Sequence, residues 1–161
     1  MKIKVKFFII LILLAAVRLS AQTVSPIKVH EFEVFDCEEL KLRTHNLLAE
    51  ISKNPGSKGY IIGYDGEYRR FGRKSRSGLN YTYAPPRTNE LKSRLDLIKK
   101  QLVFLSVSPR NFVFIYGGVR KHLTIEYFVV PKEALSPKPT PTLKRIKHAR
   151  GLVPQLTLGD C

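Results

Sequence analysis

The sequence predicts a single α+β domain in which two helices cover one face of a small mixed sheet. Two segments carry apolar residues at helical spacing, and three shorter segments are rich in β-branched and aromatic residues. They follow one another as helix, strand, helix, strand, strand, an order typical of a two-layer sandwich. The 161 residues, of which 43% are hydrophobic, are enough for one such domain.

The first helix is predicted over residues 37–53. Asp36 and Glu39 have the spacing of a capping box, and the helix dipole favours acidic side chains in a first turn. Apolar residues then recur on one face, and Pro55 and Gly56 end the pattern. The apolar face consists of Leu40, Leu47, Leu48 and Ile51.

A second helix is predicted over residues 89–104, after the break that Pro85 and Pro86 impose. Its apolar residues recur at intervals of four, three and four positions, which is the spacing of an amphipathic helix. They are Leu91, Leu95, Ile98 and Leu102. Because this helix lies between two strands, we expect it to act as a right-handed crossover.

Three strands are predicted, at residues 59–64, 111–116 and 122–130. Asp65-Gly66 after the first strand is a turn signal, and the following residues either return as a hairpin arm or open a loop. The segment 117–121 contains two glycines and has the length of a hairpin connection between the last two strands.

The first 21 residues are predicted to be a secretory signal peptide. Lysines precede an apolar run at residues 7–17, and the small residue Ala21 follows as a cleavage position. The run is shorter than the ~20 residues that span a bilayer, and an uncleaved membrane anchor is the alternative. The protein is therefore expected to be periplasmic or secreted. The remaining chain divides into an N-terminal extension (22–36), the α+β domain (37–131) and a proline-rich basic tail (132–161).

The net charge is strongly positive. The whole chain carries a formal charge of +15, and cleavage after Ala21 would remove four basic residues and no acid, leaving +11. A cationic surface outside the cytoplasm meets cell-wall polymers, lipid headgroups and acidic polysaccharide rather than genomic DNA or cellular RNA. The expected partner is therefore an anionic polymer of the cell envelope, and nucleic acid is not favoured.

The region from Tyr68 to Arg87 concentrates this charge. Arginine and lysine alternate there with tyrosine and phenylalanine, a mixture suited to stacking on sugars or bases while pairing with anionic groups. The candidate contact residues are Arg69, Arg70, Arg73 and Lys74, and Arg120 joins them if its turn lies nearby. The alternative is a solvated loop whose aromatic residues cover the edge of the sheet.

No pattern in the sequence indicates catalysis. The four histidines lack the spacing of zinc ligands, and no nucleophile elbow, Walker loop or dinucleotide-binding glycine motif is present. Cys37 and His45 would be separated by about 12 Å of helix, which is too far for proton transfer. We therefore predict a protein that is not an enzyme and that holds no metal or cofactor.

Cys37 and Cys161 are the only cysteines, and an exported protein meets an oxidising compartment. An intramolecular disulfide between them would tie the C-terminal tail to the first helix. The alternatives are that Cys161 pairs with another chain or that Cys37 is a half-buried free thiol.

The order of elements resembles that of the outer-membrane protein A C-terminal domain (OmpA-like). The resemblance covers about residues 37–130 and includes a strand ending in Gly63-Tyr64-Asp65, followed by an asparagine-led helix with an arginine. It implies peptidoglycan binding, in which Asp65 and Arg94 grip the diaminopimelate of the peptide stem. A carboxylate suits the ammonium of such a zwitterion, and a guanidinium suits its carboxylate. The alternative is that Asp65 only shapes a turn and that Arg94 is a solvated helix charge.

The chain also resembles small exported bacterial proteins that share an SKGYII strand and a GG-x-R…LTIE…VVP segment, which implies no activity. The expected function is that of an exported, non-catalytic envelope protein that binds an anionic cell-wall or surface polymer, with peptidoglycan as the named candidate. The alternative is a protein–protein interaction module that docks through its proline-rich basic tail. Membrane contact is expected only through an uncleaved signal segment.

Overall fold

The structure of the protein, a computed structural model, describes residues 24–33, 37–75 and 78–152, without the side chains of residues 37, 70–75, 78–81 and 152. The described residues form two α-helices, α1 (Cys37–Lys53) and α2 (Glu90–Phe104), and a short 3-10 helix, Pro109–Asn111. The strands are β1 (Ile27–Glu33), β2 (Lys58–Ser75), β3 (Gly78–Ala84), β4 (Arg87–Thr88), β5 (Phe112–His122), β6 (Thr124–Val130) and β7 (Ala149–Leu152).

Strand β2 is the centre of the main sheet. Its first half pairs with β6 in antiparallel fashion and with β5 in parallel fashion, and its second half pairs antiparallel with β3. Strand β1 pairs antiparallel with the far side of β6. Two helices and a mostly antiparallel sheet confirm the predicted α+β class.

Both helices form where the sequence predicts them. α1 has the predicted bounds, and α2 begins one residue later, after Asn89. The connection from β2 to β5 contains α2, and these two strands are parallel, which confirms the predicted crossover between them. The right-handedness of that crossover stays a prediction. The apolar faces of the two helices share one core with the sheet, whose members include Leu40, Leu47, Leu97, Ile98, Leu102, Ile61, Ile125, Tyr127 and Val129.

Two expectations about the strands are wrong. Asp65-Gly66 is not a turn, because β2 continues through it to Ser75. The segment 117–121 is not a hairpin connection, because β5 continues through it to His122 and pairs with the opposite side of β2 from β6. The structure also contains β1, within residues for which the sequence predicts only an N-terminal extension.

A close crossing of the chain accounts for both differences. The connection between β5 and β6, at His122 and Leu123, passes over β2 at Gly66, where the backbone N–H of Leu123 donates to the carbonyl of Glu67 at 2.9 Å. A Cβ atom at position 66 would collide with the backbone of His122 and Leu123. Glycine is therefore required at this position by the chain that crosses it, and not by a turn.

The second face of the sheet is covered by the segment that follows β6. Ile62, Tyr64, Phe128 and Val130 form a smaller cluster there with Ala134. Farther along, the backbone N–H groups of Thr142 and Leu143 donate to the carbonyl of Val119, at 3.0 Å each. β7 then pairs with β4 in a separate two-stranded sheet. The predicted tail thus packs against the domain as far as the end of β7.

Some predictions fall on the part of the chain that is not described. The predicted signal peptide (1–21), Cys161 and the side chain of Cys37 all lie outside it. The signal peptide and the disulfide therefore stay predictions. Neither described helix is both long enough and apolar enough to cross a membrane.

Candidate functional site

A cleft of about 360 Å³ lies beside Asp65, between β2, the first turns of α2 and Tyr116 of β5. Its wall combines carboxylates and ammonium groups with an aromatic ring and two leucines. The lining residues are Asp65, Asn89, Glu90, Leu91, Lys92, Leu95, Asp96, Lys99 and Tyr116. After β3 and β4, α2 packs back against β2, so the fold brings Asp65 to residues of α2 and β5 that are distant from it in sequence.

Asp65 lies at an irregularity of β2, where the pairing register with β5 shifts on both sides of it. The residue is 8% exposed, and both carboxylate oxygens accept hydrogen bonds. Oδ1 accepts from the backbone N–H of Gly66 at 3.0 Å. Oδ2 lies 2.7 Å from Nε2 of His148, in the segment that leads into β7. The carboxylate is thus held in a fixed orientation at the edge of the cleft.

Arg94 binds a different partner. Its Nη2 and Nε lie 3.2 and 3.3 Å from Oε1 of Glu90, one helical turn earlier, and Glu90 is buried. The structure therefore places Asp65 and Glu90 in the cleft, with Arg94 neutralising Glu90. The lysines that line the cleft are Lys92, which is exposed, and Lys99, which pairs with Asp96 at 3.1 Å.

Arg120 lies in a buried polar network on the second face of the sheet. It is 9% exposed, and its guanidinium donates to Glu31 at 2.8 Å, to Glu126 at 3.0 Å and to Oγ1 of Thr140 at 2.6 Å. The guanidinium also lies 3.7 Å from the ring centroid of Tyr64. A ligand would have to displace these internal partners. We therefore do not include Arg120 among the residues proposed to contact the polymer.

Glu126 is the buried acid of this network and is 2% exposed. Burial alone would raise the pKa of its carboxyl, but hydrogen bonds from Lys28, Tyr64 and Arg120 hold that pKa below its ordinary value. The network therefore keeps a charged carboxylate inside the domain, and it joins β1, β2, β5 and β6 to the segment that contains Thr140.

The basic stretch forms a hairpin arm rather than a loop. Arg69, Arg70 and Lys74 lie on the second half of β2, opposite Tyr83, Thr82 and Leu79 of β3, and Arg73 lies between them at a register shift. The base of the arm is anchored, because the Tyr83 hydroxyl donates to Glu33 at 2.7 Å and its ring lies 4.0 Å from that of His122. The arm extends from the same strand that carries Asp65.

Tyr116 was not among the predicted site residues. It is 63% exposed, and it separates the Asp65 cleft from a second, open hollow of about 520 Å³ that residues 141–144 help to line. Partial burial and the neighbouring Asp65 carboxylate raise the pKa of its phenol. The sequence did contain a signal for this residue: Tyr116 ends an apolar run and is followed by two glycines.

Lys92 and His148 were also missed. Lys92 lies off the apolar stripe of α2, so its exposure could have been predicted. Nothing local marks His148, because its partner Asp65 lies 83 residues away in the sequence. Within the described ranges, no group of three or more histidine, cysteine or acidic side chains is arranged to hold a metal ion.

No protein-family model, curated protein sequence or solved structure matches this chain. We therefore infer the function from the geometry and chemistry of the Asp65 cleft and of the hairpin arm.

Proposed function

We propose that this protein is an exported, non-catalytic envelope protein that binds an anionic cell-wall or surface polymer, and that peptidoglycan is the first candidate. The observation that carries the proposal is the Asp65 cleft, in which an oriented carboxylate, an exposed lysine and an exposed tyrosine line one concave surface. Pockets that combine apolar walls with a few convergent polar groups are typical binding sites.

The cleft suits a zwitterionic group on the polymer. Asp65 is the partner for an ammonium group, and Lys92 is the partner for a carboxylate. Lys92 takes the place that the sequence assigns to Arg94, because Arg94 is engaged by Glu90. Tyr116 offers a ring face to an apolar part of the ligand.

The hairpin arm supplies the longer-range attraction. Arg69, Arg70, Arg73 and Lys74 lie along one short stretch of β2, beyond the cleft. A concentration of cationic groups raises the local concentration of a polyanion and speeds its association, and added salt screens this effect. The cleft would then provide selectivity, and the arm would provide salt-sensitive affinity.

Sedimentation with purified peptidoglycan tests the proposal. The wild-type protein should pellet with the polymer at low salt, and Asp65→Asn and Lys92→Ala should each weaken binding by about ten-fold or more, since a charged hydrogen bond contributes roughly 1.5–3 kcal/mol. Lys53→Ala, which removes an exposed lysine from the end of α1, is the matched control and should bind normally. Wild-type protein that stays in the supernatant at low salt would contradict the proposal.

A second candidate function is capture of a protein partner by the basic C-terminal segment. Lys144, Arg145, Lys147 and Arg150 are all exposed there. Replacing these four residues with alanine should abolish partner capture while leaving peptidoglycan sedimentation close to that of the wild type. Point substitutions are preferable to deletion of residues 132–161, because that segment packs against the domain.

A further inference from the structure

The segment 144–152, which we call the C-terminal strap, is tied to the domain at both ends. Immediately before its first residue, the backbone N–H groups of Thr142 and Leu143 donate to the carbonyl of Val119. At its end, β7 pairs in parallel with β4, and the N–H of Ala149 donates to the carbonyl of Pro86 at 2.8 Å. The strap therefore passes from the hollow beside Tyr116 to the strand just before α2, alongside the cleft.

His148 is the residue of the strap that contacts the cleft. Its Nε2 lies 2.7 Å from Oδ2 of Asp65, with 39% of the imidazole and 11% of the aspartate side chain exposed. The imidazole thus lies on the solvent side of the carboxylate. Since Gly66 occupies Oδ1, both Asp65 oxygens already have a partner within the chain.

We propose that His148 is a built-in occupant of the Asp65 subsite, so that a cationic group of a ligand, such as a primary ammonium, must displace the C-terminal strap to reach this carboxylate. The imidazole N–H binds the carboxylate at the position that an ammonium N–H would take. This inference rests on the proposed function, in which Asp65 receives a cationic group. It adds an autoinhibitory contact to that function.

The strap is held weakly enough for a ligand to displace it. The ladder between β4 and β7 is short, since β4 has two residues and β7 has four. The contact between His148 and Asp65 is a single hydrogen bond, whose net contribution to stability is small. Short surface elements also open locally at a small fraction of the cost of global unfolding. The apparent affinity of the cleft is then its intrinsic affinity reduced by the fraction of molecules in which the strap is open.

The test compares His148→Ala with Lys147→Ala, which removes a neighbouring exposed cation but not the Asp65 contact. In His148→Ala we expect faster hydrogen exchange at the Ala149 amide and faster coupling of the Asp65 carboxyl to a small primary amine by a water-soluble carbodiimide. Peptidoglycan should bind roughly two- to ten-fold more tightly, the range that the net contribution of a single hydrogen bond implies. Lys147→Ala should match the wild type in melting temperature, in hydrogen exchange at Ala149, in labelling of Asp65 and in peptidoglycan binding.

Two results overturn the inference. One is unchanged Asp65 labelling in His148→Ala, which means that the imidazole does not shield the carboxylate. The other applies if the wild-type protein sediments with peptidoglycan: His148→Ala labels faster at Asp65 but does not bind peptidoglycan more tightly. If no variant sediments with peptidoglycan, the proposed function fails separately. Labelling needs no polymer, so faster Asp65 labelling would still support occupation by His148 and unchanged labelling would still exclude it.

Discussion

Asp65, Arg94 and Arg120 show how much of a residue's role depends on its partners. The Glu90–Arg94 pair could have been anticipated, because acid and base four residues apart on a helix are neighbours. The Asp65–His148 and Arg120–Glu31 contacts could not, because they join residues 83 and 89 positions apart. Of the predicted site residues, Asp65 lines the cleft, Arg94 supports it through Glu90, and Arg120 lies elsewhere.

Gln101 is the clearest residue-scale test of the core. It is 2% exposed on α2, and neither atom of its amide has a hydrogen-bond partner within the described part of the chain. A buried polar group without a partner costs roughly 1–3 kcal/mol. Gln101→Leu should therefore raise the free energy of unfolding by about 1–3 kcal/mol, measured by urea denaturation.

Thr44→Val is the matched control for this substitution. Thr44 is equally buried on α1, but its hydroxyl donates to the carbonyl of Leu40 at 2.8 Å and lies 3.1 Å from the hydroxyl of Tyr127. Removing that hydroxyl leaves Tyr127 without this contact, so Thr44→Val should lower stability by about 1–2 kcal/mol. If Gln101→Leu loses stability as Thr44→Val does, the Gln101 amide has hydrogen-bond partners in solution, and the prediction is wrong.

At the scale of elements, the sequence predicted the helices better than the strands. An amphipathic helix repeats its apolar residues within a few turns, so α1 and α2 could be located from neighbouring residues alone. β1 was missed because its apolar residues, Ile27, Val29 and Phe32, do not keep a spacing of two, since the pairing register shifts between Lys28 and His30. The placement of β5 and β6 on opposite sides of β2 is a matter of pairing, which local pattern does not determine.

Gly66 tests the crossing of β2 by the β5–β6 connection. Gly66→Ala should lower the free energy of unfolding by about 3 kcal/mol, because the new methyl group overlaps the backbone of His122 and Leu123, and backbone is harder to displace than a side chain. Thermal and urea denaturation measure the loss.

Gly56→Ala serves as the comparison for Gly66→Ala. Gly56 has a φ of +82° but has open space around it, so alanine there should cost only about 1–2 kcal/mol of backbone strain. Equal losses in the two variants would show that backbone conformation, and not the crossing chain, is what requires glycine at position 66.

At the scale of the whole molecule, the chain after β6 covers the second face of the sheet. It packs Ala134 on the second face of the sheet, and Thr140 receives hydrogen bonds from Arg120 and binds Tyr64. Its prolines predict an extended segment, and the structure contains neither a helix nor a strand between Pro131 and β7, only a turn at residues 132–133 and an isolated bridge at Leu143. The composition gives no sign that this extended segment would be docked.

Two truncations separate the covering segment from the strap. Ending the chain after Leu143 should leave the melting temperature nearly unchanged, whereas ending it after Pro131 should lower stability by about 2–4 kcal/mol, since buried polar groups that lose partners cost roughly 1–3 kcal/mol each. Both proteins should be measured under reducing conditions, so that the loss of Cys161 does not contribute. Equal stability of the two would contradict a covering role for residues 132–143.

Local pattern was sufficient for both helices, because hydrophobic periodicity acts over a few neighbouring positions. The order of the elements was sufficient for the α+β class and for the crossover. The partners of Asp65 and Arg120, the crossing at Gly66 and the docking of the C-terminal segment became visible only in the folded chain. Each of these depends on atoms of residues far apart in sequence coming within a few ångströms of one another, and the properties of adjacent residues do not encode such distances.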